Sequence, residues 1–476
     1  MACILSAGVY IPYYRLKHEE IGKAWHQGAG ANERAVSNYD EDSLTMGIEA
    51  GFHALEGINE KPDALYFATT TSPYDEKQLA ALAACVLDLS RDALTMDFGG
   101  SLRAATSALI AASHAVDSGR HKKVLVIAAD ARPPFPASPN EPTFGDAACA
   151  FVIGCGQGPL NISDYYSVND EMLVAWRLRG DKFVNSWEDR FVKQEGYLRV
   201  LKEAVKGILK KAGLENKDIA KLAAYAPDGR SIGEAARALG FDQAKQMVDP
   251  LLGLVGECGV ASAALGLIVA ANSASPQDKL IAAGFGDGCD ALLLTANDNV
   301  KSVLHGPSLK AQLESKAYIS YVDYLRFRRL VPNQITDIPQ GVSSAPIMWR
   351  DREAVLKFYA HKCNKCGTMH FPLERVCYKC RSKDDFTTVP LARAGGKLFT
   401  FTKDNLFTSE DLPQVMAVVE SDGGVRLYLQ MTDRDPEKIE LNMPLEFTLR
   451  HLHDGSGFRN YFWKCRPARF LSAKGA

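Results

Sequence analysis

Two Cys-x-x-Cys knuckles, Cys363-Asn-Lys-Cys366 and Cys377-Tyr-Lys-Cys380, stand ten residues apart in a chain of 476 residues. No other feature constrains the fold as tightly. Two knuckles at ribbon spacing bring four thiolates around one tetrahedral Zn²⁺, and a site with four protein ligands has no open position for catalysis. The reading is a structural zinc ribbon. Two disulfides or four free thiols are the alternative, disfavoured in a reducing compartment. His361 and His370 lie nearby, and a complete Cys₄ set makes them bystanders. The other seven cysteines (Cys3, Cys85, Cys149, Cys155, Cys258, Cys289 and Cys465) are scattered and read as reduced thiols, several of them small core hydrophobes.

Charge and hydropathy exclude several classes of partner. With 55 Lys+Arg against 57 Asp+Glu the formal charge is −2, so no basic field invites nucleic acid or an anionic membrane. No apolar run reaches the roughly 18 residues needed to cross a bilayer, and the opening Met1 to Val9 lacks a charged region ahead of an apolar stretch. The expectation is a cytoplasmic protein. At 46% hydrophobic and 24% charged, the chain should build packed cores.

From Met1 to about Asn299, short aliphatic runs alternate with Ala-rich amphipathic runs, the pattern of a sheet covered by helices. The order repeats. Around 101–153, small residues lead into an Ala-rich helix, a buried strand (Lys123 to Ala129), Gly145-Asp146-Ala147 and a further strand, Cys149 to Ile153. Around 256–294 the same order returns: Gly256-Glu257-Cys258-Gly259, a helix over Ala261 to Ala271, a strand over Leu280 to Ala283, Gly286-Asp287-Gly288, and a strand over Asp290 to Leu294. Two similar halves, 1–160 and 161–330, are predicted around one core. Tyr318 to Arg329 reads as one more helix, its arginines either solvated or at an interface. A linker follows over 331–360, including the Pro/Ser-containing stretch Pro332 to Pro346. The ribbon then occupies 361–390, and 391–476 reads as a small β-barrel with strands over Gln414 to Glu420 and Val425 to Met431.

Between Met96 and Thr106 the chain passes from a strand through Gly99-Gly100-Ser101 into a helix. Such a junction either presents backbone N–H groups at a helix N-terminus or only permits a tight, closely packed turn.

Taken in order, several segments resemble the thiolase superfamily, most closely its 3-hydroxy-3-methylglutaryl-CoA synthase-like branch. They are Ile4 to Pro12, Asp97 to Ser101, Trp176-Arg177, Trp187 to Phe191, Ala226-Pro-Asp-Gly-Arg230, Gly256 to Ser262 and Gly286-Asp-Gly288. The tail, Cys363 to about Arg469, is similar to the zinc-ribbon and OB-fold proteins that accompany such enzymes. The resemblance implies an α/β class chain: a duplicated thiolase-like fold, layered α-β-α-β-α, followed by a zinc ribbon and an OB-type barrel. It also implies coenzyme A as part of an acyl-CoA substrate, a homodimer and room for a partner subunit. An Arg face on the 318–329 helix could then meet CoA phosphates.

The departures bear on chemistry. Where the family carries its acyl-enzyme cysteine, this chain reads Gly99-Gly100-Ser101. The family's histidine matches Tyr225, the loop Asn or His matches Glu257, and the stretch of the synthase glutamate reads Ala68-Thr-Thr-Thr71. Three readings follow. Aldol or retro-aldol chemistry on a β-hydroxyacyl thioester needs a base and donors for the enolate oxygen, without an acyl-enzyme. Acyl transfer through an unconventional nucleophile, Ser101 or Cys258, is the second. A non-catalytic acyl-CoA-binding scaffold is the third. The first names Tyr225 and Glu257 for proton transfer, against the alternatives of a core tyrosine and a carboxylate at a helix N-terminus. Asp97 and Arg103 are read as a buried pair beside the site or as residues of a helix start.

Overall fold

In the computed structural model, residues 1–331, 343–407 and 409–470 are described, apart from the side chain at position 189. The chain divides into two units, 1–37 with 42–321, and 38–41 with 322–476.

The first unit is built on strands β1 (Ala2–Tyr10), β2 (Ala64–Ala68), β3 (Leu94–Phe98), β4 (Lys123–Ala131), β5 (Asp146–Cys155), β6 (Leu160–Asn169), β7 (Ile219–Ala224), β8 (Lys279–Phe285) and β9 (Gly288–Ala296). They form one sheet in the order β3-β2-β4-β5-β1-β6-β9-β8-β7. The predicted duplication is visible in its pairing. β2 runs parallel to β4, which is antiparallel to β5, which is antiparallel to β1. β7 is likewise parallel to β8, β8 antiparallel to β9, and β9 antiparallel to β6. The halves join through two residue pairs, Cys3 with Asn161 and Ile4 with Leu160.

Strands such as β4 and β5 are buried along almost their whole length, as continuous aliphatic runs must be when helices cover both faces. Helices α1 (Ser43–Leu55), α2 (Leu79–Val86), α3 (Ala104–Asp117), α4 (Arg199–Ala212), α5 (Gly229–Leu239) and α6 (Ala261–Ser273) supply the cover. α3 touches β4 and β5 of one half and β8 and β9 of the other, and α6 also reaches both halves, so these two helices form the central layer. A glycine on the facing strand allows that approach: a Cβ on Gly284 of β8 would stand 2.5 Å from Thr106 Oγ1 of α3. α1 covers β1, β4 and β5 from outside, and α4 covers β6 and β9. The result is the expected α-β-α-β-α layering. One core cluster fills the space around α3 and α6, and a second lies beneath α4 and α5.

In the second unit, Tyr359–Cys363 pairs with Met369–His370 and Phe386–Pro390 in a three-stranded sheet. Five strands beyond it close a barrel in the order Gly395–Asp404, Gln414–Ser421, Arg426–Met431, Phe458–Pro467, Pro444–Gly455. The segment 38–41 belongs to this unit through buried ion pairs. Arg450 lies 3.2 Å from Asp40 and 2.8 Å from Glu41, and Lys464 lies 2.9 Å from Asp40. Each buried charge therefore has a partner, as burial requires.

One local expectation changes. The single helix read over 318–329 is the short helix Tyr321–Phe327, preceded by Ala317–Tyr318 paired with Tyr14–Arg15. Its Arg326 donates to Ser409 O, and Arg329 pairs with Glu410 within the second unit. They act as contact residues of that unit. Of the linker stretch Pro332 to Pro346, residues 332–342 lie outside the described residues.

A candidate active site at the strand ends

Tyr225 and Glu257, 32 positions apart in sequence, meet in the first unit. Parallel strands end in loops at one edge of their sheet, where such folds gather ligand-binding groups. Tyr225 directly follows β7, and Arg132 directly follows β4. Glu257 sits in the loop before α6 and is fully buried. Its Oε2 lies 2.5 Å from Arg132 Nη1, and its Oε1 accepts from Gly259 N at 2.8 Å. The Tyr225 side chain is buried beside this pair, within the fields of the Glu257 carboxylate and the Arg132 guanidinium.

Backbone holds the glutamate as firmly as side chains do. Glu257 N donates to Thr143 O at 2.7 Å and its carbonyl accepts from Gly145 N at 2.8 Å. The guanidinium of Arg132 rests 4.2 Å from the Phe144 ring centroid. Beneath Tyr225, the Tyr197 hydroxyl donates to the Tyr225 carbonyl at 2.7 Å, and the two rings meet edge to face at 6.3 Å. Tyr197 reaches that position from a π-helical segment, Val192–Leu198, whose widened turn offsets its side chains.

Burial sets the protonation states. It pushes the Tyr225 phenol well above its ordinary range, and the Glu257 charge adds to the effect while Arg132 opposes it. Burial also raises the Glu257 carboxyl, with Arg132 and the Gly259 N–H pulling it back. The phenol is thus a proton-bearing donor at neutral pH, and the carboxylate beside it is more basic than an exposed one.

Asp130 supports the neighbouring loops. It accepts from Thr69 Oγ1, Thr70 N and Oγ1, Thr71 Oγ1 and Val260 N, at 2.7 to 2.9 Å. The stretch Ala68-Thr-Thr-Thr71 is therefore a ligand set for a carboxylate. At Gly259 (φ +57°) a Cβ would stand 2.1 Å from Asp130 Oδ2, so only glycine fits there.

The remaining sequence candidates are placed elsewhere. Asp97 does not pair with Arg103: its carboxylate accepts from Leu79 N and Ala80 N at 2.7 and 2.8 Å, capping the start of α2. Arg103 instead lies 3.4 Å from Asp290 and donates to Val168 O. The end of β3 places the Asp97 carboxylate within hydrogen-bond reach of the first N–H groups of α2, where it is satisfied and favoured by the helix dipole. Cys258 is fully buried, its thiol against Gly256 O, and burial followed by the Glu257 charge pushes its pKa well above the ordinary range. It is held as a thiol, the wrong state for a nucleophile. Ser101 lies at the junction before α3 with its Oγ buried and without a hydrogen-bond partner. A Cβ on Gly286 would stand 2.7 Å from that oxygen, and Phe285 next to it packs 5.9 Å from the Tyr225 ring.

Arg132, Asp130 and Tyr197 were absent from the sequence candidates. The signal available for the first two was a pair of charges, Asp130 and Arg132, closing an otherwise aliphatic strand. Tyr197 carried no such mark.

A cavity of about 450 Å³ opens at the segment that follows Tyr225, lined by Pro227, Asp228 and Gly229 and by Thr143, Met247 and His18 among others. The His18 Nε2 is buried there without a partner, and burial with the nearby Arg34 charge lowers its imidazole pKa.

In the second unit, the sulfurs of Cys363, Cys366, Cys377 and Cys380 all lie within 4.8 Å of one another. Cys363 to Cys380 and Cys366 to Cys377 are each 3.6 Å. A tetrahedral ion with Zn–S bonds of about 2.3 Å needs sulfurs about 3.8 Å apart, so the four thiols fit a metal ion.

Duplicated halves, a central layer of two Ala-rich helices and a site at the strand ends define a thiolase-like fold in the first unit, accompanied by a cysteine cluster and a closed barrel in the second. Residues 96–168 match the family model for 3-oxoacyl-[acyl-carrier-protein] synthase III. The hydroxymethylglutaryl-CoA synthase of Methanocaldococcus jannaschii is 28% identical over 344 residues, which cover 70% of this chain and 99% of that protein. Among solved structures, MvaS in complex with 3-hydroxy-3-methylglutaryl coenzyme A superposes with a TM-score of 0.63 at 20% identity, covering 71% of this chain and 95% of that one. An HMG-CoA synthase complexed with CoA gives 0.64 at 18% identity, covering 72% and 94%. The chain is thus similar to hydroxymethylglutaryl-CoA synthases over about 70% of its length.

Proposed function

We propose that this protein is an acyl-CoA enzyme of the thiolase type that makes or breaks a carbon–carbon bond beside a thioester, by aldol or retro-aldol chemistry and without an acyl-enzyme. The observation that carries the reading is the buried Tyr225–Glu257–Arg132 group, a proton-bearing phenol on a basic carboxylate held by a cation. In the cleavage direction Tyr225 takes the proton of a β-hydroxyl as its own passes to Glu257. The Cα–Cβ bond breaks, its electron pair enters the thioester as an enolate, an aldehyde or ketone leaves, and protonation at Cα gives the shorter acyl-CoA. Backbone N–H groups at the α3 junction stabilise the enolate oxygen. The thioester arm enters through the cavity beside Pro227–Gly229. Relatives with CoA or an acyl-CoA bound support that substrate class. Mass spectrometry of products from β-hydroxyacyl-CoA thioesters tests the reading: a carbonyl compound plus a shorter acyl-CoA is expected, and tight CoA binding without turnover would assign a scaffold instead.

One observation favours a second reading, acyl transfer through serine: the Ser101 Oγ is buried without a partner where the family places its nucleophile. An acyl adduct on Ser101 after incubation with acyl-CoA would establish it.

We further infer that the cysteine cluster holds a structural Zn²⁺, which closes the ribbon and supplies no reactive position. A homodimer through β3 is consistent with that strand's place at the sheet edge, with Leu94 37% and Met96 40% exposed. Among the described residues no helix is long and apolar enough to cross a membrane.

A further inference from the structure

Between β4 and β5 the chain makes an excursion, Pro133 to Thr143, both ends of which are fastened to Glu257. Arg132 pairs with its carboxylate, while Thr143 and Gly145 bond to its backbone. Thr143 borders the cavity lined by Pro227 to Gly229. Phe135, Ser138 and Asn140 of the same excursion form one wall of a separate cleft of about 570 Å³, opposite Val184, Asn185 and Trp187. The walls are joined by Val184 N donating to Pro133 O at 3.1 Å.

One feature of this cleft is costly without an occupant. Phe135 is 58% and Trp187 70% exposed, large rings of the kind that gain most from being covered. The volume falls in the range of about 300–1,000 Å³ that takes drug-sized ligands, far more than an acetyl or acetoacetyl group would fill.

Resting on the reading of this protein as an acyl-CoA carbon–carbon bond enzyme, we propose that the cleft between Phe135 and Trp187 binds the acyl part of the thioester, and that this part is a ring-bearing group. The excursion then links substrate size to chemistry, because the segment that meets the ring also holds Glu257.

Calorimetric titration of the full chain with CoA, 3-hydroxybutyryl-CoA and 3-hydroxy-3-phenylpropionyl-CoA tests this. The phenyl thioester should bind about tenfold or more tighter than the butyryl one, the worth of covering a ring. Val184→Trp, which fills the cleft, and Trp187→Ala, which removes an exposed wall without disturbing a core, should each abolish that gain and leave CoA binding unchanged. Equal affinities for the two thioesters, or a gain that survives in both variants, would overturn the proposal. Turnover is read separately. Cleavage without a phenyl gain removes the acyl cleft and keeps the enzyme reading, whereas a variant-sensitive gain without cleavage does the reverse.

Discussion

The Arg132 guanidinium lies 2.5 Å from the Glu257 carboxylate, with both side chains almost wholly out of water (4% and 1% exposed). A buried pair of this kind contributes modestly as a whole but is costly to break, since removing one partner strands the other charge. Arg132→Met should therefore destabilise the first unit by about 3–5 kcal/mol, and Arg132→Met with Glu257→Leu should recover most of that loss. Denaturant unfolding of both variants measures it. A double variant as unstable as the single one would mean that packing around Phe144, and not charge, is what Arg132 supplies.

Activity should divide between shape and chemistry at the phenol. Tyr225→Phe keeps the ring that packs on Phe285 and removes only the hydroxyl, so kcat should fall by about 10²–10⁴-fold with KM nearly unchanged. Ser101→Ala should retain most activity. Steady-state kinetics on a turned-over thioester would refute the assignment if Tyr225→Phe were fully active.

The pH dependence follows from the raised Glu257 carboxyl. Glu257 must be ionised to receive a proton, and burial lifts its pKa above the ordinary value of 4.5, so kcat/KM should rise with pH through a limb that lies above 4.5. The same shift acts on stability. The folded state binds this proton more tightly than the unfolded chain, so Glu257 contributes most at low pH and its contribution declines as pH rises from 4.5 to the folded value. Glu257→Gln should remove the acid limb and flatten that part of the stability profile. Parallel rate and unfolding measurements across pH check both.

Metal analysis of protein purified under reducing conditions should find about one zinc per chain, bound by Cys363, Cys366, Cys377 and Cys380. Cys363→Ser should lose it and destabilise the second unit, because binding free energy at such a site is folding free energy. Purified protein that holds no zinc, together with a Cys363→Ser variant whose second unit is as stable as the wild type's, would disprove a structural zinc.

Much of this architecture was legible in the linear chain, for reasons of range. The cysteine knuckles are local, and their spacing alone brings four sulfurs together. The strands at Lys123–Ala131 and Lys279–Phe285 and the helices at Ala104–Asp117 and Ala261–Ser273 follow from hydrophobic period, and their repeated order announced the duplicated sheet. Tyr225 and Glu257 stood out through resemblance, each at a loop position where the family places a polar group. What tertiary structure decided is which charges meet. Arg132 finds Glu257 125 positions away, Tyr197 supports Tyr225 from a π-helical turn, and Asp130 gathers three threonines 59 to 61 positions distant. Asp97 and Arg103, close enough in sequence to be read as a pair, go instead to the start of α2 and to Asp290. A carboxylate's partner is set by which N–H groups and cations the fold brings within about 3 Å of it, and local pattern carries no information about that distance.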